Sequence, residues 1–255
     1  MSVKGLLGLS MLMGASLARD VPSNVKTFYD NLKSKGKCNS ALAKGFYSSY
    51  DGDNSFSYCG DHLEDSQIIY IQGANGALAN MDIDCDGTQG SAADDGRCGN
   101  SGDTQSITSF ADTVKGYGKG INDLDANIHP YVVFGNVGSK QGYTSFDPQK
   151  YGIEPLSVMA VVCGDKLIYG VWGDENGDDG EKSVVGEASI SLATACFGKS
   201  MTGDNGHDQN DVLYIGFTGG DAVPGKNANW AAKNYADFES SIQDLGDKLI
   251  QRIRS

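Results

Sequence analysis

The sequence predicts a mainly β fold, a small barrel with several helices packed outside it; an α+β arrangement is the alternative. Three observations carry this. The apolar, β-branched runs are short, as in Ile68–Gln72 (IIYIQ) and Val212–Phe217 (VLYIGF). Glycine-rich loops separate them, with 35 Gly but only 5 Pro in 255 residues, against a usual glycine share of ~7%. The strands do not alternate regularly with helices, as a parallel α/β sheet would require.

The elements follow in order. Lys4 and the apolar run from Gly5 to Leu17, with Ser16 and Ala18 at the −3 and −1 places, read as a secretory signal over residues 1–18. Residues 19–255 are then expected to form a single catalytic domain. Ser23 is placed to cap a helix carrying Val25, Phe28, Tyr29 and Leu32 on one face and stopped at Gly36. A polar stretch runs from Asn39 to Asp65. Strands are expected at Ile68–Gln72 and Ala77–Asp84, followed by a long loop over 86–103. Ile107, Phe110 and Val114 recur at helical spacing up to Gly116. Tyr131–Phe134 is a strand. Leu156–Cys163 and Lys166–Trp172 form a hairpin around Gly164–Asp165, a two-residue turn pair. Glu187–Phe197 reads as a short helix closed by Gly198. Tyr235, Phe238, Ile242, Leu245 and Leu249 make the stripe of a packed C-terminal helix.

The charge balance excludes several classes. There are 20 Lys and Arg against 33 Asp and Glu, a formal net charge of −13. Nucleic acids and anionic membranes need clustered cations, so neither is an expected partner. Past the N-terminus no apolar run approaches the about 18 residues of a membrane span. The acidity favours a cationic partner. All six cysteines (38, 59, 85, 98, 163 and 196) fall after the signal, and no C-x-x-C occurs. In an exported chain this reads as three disulfides of open connectivity. Pairing Cys85 with Cys98 would staple the loop between them.

The chemistry is expected from carboxylates, because other groups are missing. There are three histidines and no G-x-S-x-G, H-E-x-x-H or P-loop sequence. One acidic cluster is Asp82-Ile83-Asp84-Cys85-Asp86-Gly87. It opens like a calcium loop, but Ala93 stands where the closing Glu belongs. A second runs from Trp172 through Asp174, Glu175, Asn176, Asp178 and Asp179 to Glu187. Asp174 at a strand end and Glu187 at a helix start can face each other across a cleft, the pair that glycoside hydrolysis needs. A helix start stabilises an anion, which would make Glu187 the base and leave Asp174 as the acid. The alternative function is a non-enzymatic, secreted calcium-binding module.

The segments PLSVMAVVCGDKLIYGVWGDENGDDG, VVGEASISLATACFG and MTGDNGHDQNDVLYIGFTG, with MDIDCDG and IHPYVVFGN upstream, resemble the fungal chitosanases of glycoside hydrolase family 75. The resemblance covers essentially the whole chain after the signal. It implies a secreted endo-hydrolase cutting β-1,4 links between glucosamine units with inversion, and a small β-barrel, with the double-psi type as one form. The family's essential Asp and Glu map onto Asp174 and Glu187, with Asp178 the rival for the Asp. Which carboxylate is acid and which is base stays open. Chitosan carries ammonium groups, so Asp84, Asp86, Asp178, Asp204 and Asp208 are expected to help hold it. Trp172 and Tyr169 are candidate sugar platforms or core residues. Asn176 and His207 are candidate substrate contacts. No cofactor or metal is implied, and a monomer is expected.

Overall fold

The computed structural model describes residues 19–99, 101–102, 104–177 and 180–254. The expected signal and Asp178 lie outside these residues. A short β1 (Arg19–Asp20) precedes α1 (Ser23–Lys35). Val25, Phe28 and Leu32 are its buried face, and Gly36 closes it at φ 85°. Pro22, not Ser23, stands at the cap position, and no side chain caps the helix. The polar stretch that follows holds an unexpected hairpin, β2 (Ala41–Phe46) with β3 (Phe56–Cys59). Next come β4 (Ile68–Gln72), β5 (Ala79–Asp84), α2 (Ala111–Gly116) and β6 (Tyr131–Asn136). Ile107 lies before α2 and is 60% exposed, so it is not part of that helix's apolar face. The predicted hairpin is β7 (Val158–Cys163) and β8 (Lys166–Asn176), with Gly164 in the turn at φ 63°.

Glu187–Ser189 is a strand, β9, and the helix α3 runs only from Ile190 to Phe197. Ser189 caps it, its side chain accepting from the Leu192 amide. Glu187 therefore does not sit at a helix start. It pairs in parallel with Asp82 of β5, a non-local contact that local helix propensity cannot reveal. The chain ends with β10 (His207–Phe217) and α4 (Tyr235–Ile250).

The strands form one mixed ten-stranded sheet, in the order β1-β8-β6-β9-β5-β10-β4-β3-β2, with β7 pairing both β10 and β8. The pairings β8–β6–β9–β5–β10–β7–β8 thus return on themselves. The β4–β3–β2 extension departs from this circuit, so the result is mainly β with packed helices but not a clean barrel. The buried core includes Val132, Phe134, Val161 and Ile168, with Leu213 and Ile215 on the other face of β10, all at most 1% exposed. α4 covers β8 from outside. Gly246 lies so close to Tyr169 that a Cβ there would meet the ring at 2.5 Å. Burying Phe238, Ile242 and Leu249 of α4 is worth roughly 1.5–3 kcal/mol for each side chain. Three disulfides, Cys38–Cys59, Cys85–Cys98 and Cys163–Cys196, fix the loops. Among the described residues no helix is long and apolar enough to cross a membrane.

Candidate active site

Four adjacent strands build one acidic wall. Val133 of β6 is the register partner of Asp174 on β8 and of Glu187 on β9, and Glu187 is in turn the partner of Asp82 on β5. Register partners project to the same face of a sheet. Asp174, Val133, Glu187 and Asp82 therefore stand side by side, and all four line a cleft of about 750 Å³.

A glycine places Asp174 there. Trp172 pairs with Val132 and Asp174 with Val133, so Gly173 is an extra residue in β8. Without that bulge, alternation would put Trp172 and Asp174 on one face. With it they face opposite ways. Trp172 turns into the core, fully buried and edge-on to Phe110 at 4.6 Å, and its indole NH donates to the Asp174 carbonyl at 2.9 Å. Only glycine fits, because a Cβ at position 173 would lie 2.5 Å from Tyr131 Cβ.

The two carboxylates have different surroundings. Asp174 Oδ1 accepts from the Ser109 amide (3.0 Å), the Ser109 hydroxyl (2.5 Å) and the Glu175 amide (2.8 Å). Burial raises its pKa to about 6, against the lowering effect of these donors. Among the described residues Glu187 has one long contact, Asn176 Nδ2 donating to Oε2 at 3.5 Å. Burial, with the negative charges of Asp82 and Asp174, raises it further, to about 8. Around them burial lifts Asp82 to about 6 and Glu175 to about 7. Asp84 is pushed well up by burial and by Glu187, Asp174 and Asp86. So many acids share one cleft that they cannot all ionise together.

Two sets of groups among the described residues are close enough to hold a cation. In the set Cys38, Cys59 and Asp61 the two sulfurs are joined to each other. In the other, Asp84, Asp86 and Asp174 bring carboxylate oxygens within 4.8 Å of one another. That arrangement suits a hard cation or an ammonium group.

The cleft brings together Asp174, Glu187, Asn176, Asp84, Asp86 and Asp208 of the predicted site, with Asp204 beside them. It does not include three others. Trp172 is in the core for the reason given. Tyr169 is fully buried under α4, its hydroxyl donating to Asp247 Oδ1 at 2.8 Å. Neither offers a ring face to a sugar. His207 stacks on Phe197 at 3.9 Å and contacts Asp211 Oδ1 through Nε2 at 2.7 Å, and it does not line the cleft although Gly206 and Asp208 beside it do. The lining also holds Asp82 and Glu175, which the sequence places in the acidic clusters without a role of their own, and Ser109, Tyr50 and Ile107, which it does not assign to the site. Tyr50 and Ile107 are 50% and 60% exposed at the cleft. Asp82 had a signal, since it alternates with Asp84 on one strand. Ser109 had none, because its partner is 65 residues away.

A mainly β scaffold with two unequal carboxylates in an open acidic cleft has the groups that a glycoside hydrolase needs. Residues 81–252 match the model of the fungal chitosanases of glycosyl hydrolase group 75. The chain belongs to that family. It is 49% identical to an endo-chitosanase B of Aspergillus oryzae and 49% identical to an endo-chitosanase of Aspergillus fumigatus, each over the whole of both chains. An endo-chitosanase C of Aspergillus oryzae is 34% identical over 68% of this chain and 38% of its own length. The expectation of a non-enzymatic calcium-binding module gives way to this membership.

Proposed function

We propose that residues 19–255 act as a secreted, monomeric catalytic domain that hydrolyses internal β-1,4 bonds between glucosamine units of chitosan with inversion. The family and its endo-chitosanase relatives supply the substrate. Three disulfides fit an oxidising compartment.

Glu187 is the general acid and Asp174 the general base, the reverse of the roles that a helix start at Glu187 would give. The observation that carries this is their unequal hydrogen bonding on either side of Val133. Asp174 has three donors and ionises first; Glu187 has one long contact and keeps its proton. Near neutral pH one is a base and the other an acid, as the reaction needs. Glu187 gives its proton to the glycosidic oxygen. Asp174 takes a proton from water, and that water attacks the anomeric carbon from the opposite face. Two strand spacings separate the backbones, about 9.5 Å. Inverting enzymes hold their carboxyls roughly 6.5–9.5 Å apart to admit the water. Asp82, Asp84, Asp86 and Asp208 attract the polymer's ammonium groups.

NMR of a chitosan oligosaccharide digest tests the proposal by the anomer first released. The α-anomer is expected from a β-linked substrate, and initial release of the β-anomer would overturn inversion.

A further inference from the structure

The hydroxyl of Ser109 is the one side-chain donor on Asp174 among the described residues. It belongs to a clamped tripeptide just before α2. Thr108 donates through its amide and hydroxyl to Asp123 at 2.8 and 2.5 Å. Phe110 packs on Trp172, two residues before Asp174. Ser109 between them is therefore held in place from both sides. Among the described residues all three bonds to the Asp174 side chain end on Oδ1, and none is made to Oδ2. A carboxylate gripped by one oxygen has its other oxygen aimed, here into the cleft that Asp174 lines.

The acidic groups around Asp174 among the described residues oppose its ionisation when they are charged: Asp123 most, from the loop that holds Thr108, with Glu175 following on β8 and Asp84 and Asp86 facing it from β5 and its exit. None of these is a cation. The donors on Oδ1 must supply what a lysine or arginine would supply elsewhere.

We infer that Ser109 is the positioning residue of the catalytic centre, fixing the Asp174 carboxylate through Oδ1 so that Oδ2 faces the attacking water. This rests on Asp174 as the base. The Ser109 and Glu175 amides remain when the hydroxyl is removed, so Asp174 keeps two donors in a Ser109→Ala variant. A hydrogen bond to a charged group is among the stronger ones. Its loss should lower kcat roughly 10- to 100-fold while KM changes little.

The experiment compares Ser109→Ala, Ser109→Thr and Ser109→Val by kcat, KM and pH profile on a soluble chitosan oligosaccharide. Threonine and valine have the same shape, so their difference isolates the hydroxyl even if the alanine variant folds poorly. The threonine variant is expected to stay within a fewfold of the parent. The alanine and valine variants should lose kcat, and the acid limb of their profiles should move to higher pH. Equal kcat and equal acid limbs for threonine and valine would overturn the inference. Asp174→Asn is measured alongside. If it is inactive while the threonine and valine variants agree, only the role of Ser109 fails. If it retains activity, the assignment of Asp174 fails, and this inference fails with it.

Discussion

Asp174 and Glu187 are register partners of the same residue, Val133, one from each side. They are 13 positions apart in sequence, yet only the width of β6 separates their strands. Their pairing with β6, and not the length of chain between them, sets their spacing. Their difference in chemistry comes from what reaches each side chain, which leads to the first prediction.

The two carboxylates should fail in different ways. Removing a general acid matters less when the leaving group departs without help. Glu187→Gln is expected to lose roughly 10²- to 10⁴-fold on chitosan but far less on an oligosaccharide with an activated aryl leaving group. Asp174→Asn should lose a similar factor on both. Steady-state kinetics on the two substrates is the check. The opposite pattern would return the acid role to Asp174.

Activity should follow a bell-shaped pH curve. Asp174 must be ionised, so kcat/KM rises as pH passes about 6. Glu187 must hold its proton, so kcat/KM falls as pH passes about 8. The two limbs belong to a coupled set that includes Asp84 and Asp86, and a change at any member should shift both. Asp84→Asn removes one acid that competes with them for ionisation, so both limbs are expected to move to lower pH. A soluble oligosaccharide keeps polymer precipitation out of the measurement. Full activity at pH 4, or no change of either limb in Asp84→Asn, would contradict this account.

Much of the scaffold was legible because its signals are local. Ile68–Gln72, the hairpin at Gly164–Asp165 and the stripe of α4 depend on period and turn chemistry. Other elements were not legible, for physical reasons. β2 buries only Phe46 and its sequence alternates poorly; pairing with β3 and the Cys38–Cys59 bond hold it. Glu187–Ser189 has helix-like composition and becomes a strand only through β5 and β6. Sequence leaves Trp172 a sugar platform or a core residue, and the extra residue Gly173, which no pattern shows, turns it into the core. The acids of the site were visible as composition. Their grouping on one face needed the register of four strands.

The site should make the fold less stable as pH rises. Glu187 ionises at about 4.5 when unfolded and about 8 when folded, because burial opposes its charge. A folded-state pKa above the unfolded value gives a contribution that is complete below about 4.5 and lost as pH climbs through about 8. Asp82, Asp84, Asp174 and Glu175 shift in the same direction. The melting temperature should therefore drop between pH 5 and pH 8. Glu187→Gln should flatten this fall and melt above the parent at pH 8, by roughly 2–4 °C for each kcal/mol recovered. A variant with the parent's slope would show that Glu187 is not held against its charge.

The bulge at Gly173 should connect stability to catalysis. A methyl group there meets Tyr131 Cβ at 2.5 Å and a Leu124 methyl at 2.7 Å. Tyr131 Cβ cannot swing aside as a side-chain tip would, so the backbone of β8 must shift. Overpacking of this kind costs about 1–3 kcal/mol. The shift occurs next to Asp174, whose Oδ1 depends on distances of 2.5–3.0 Å to Ser109. Gly173→Ala is therefore expected to lower the melting temperature by several degrees and to reduce kcat well beyond any change in KM. Gly116→Ala is the control, since a Cβ at position 116 meets nothing within 4 Å. It should leave both quantities near the parent. If Gly173→Ala melts lower but keeps the parent's kcat, the bulge serves packing alone, and the direction of Asp174 must be set from the Ser109 side.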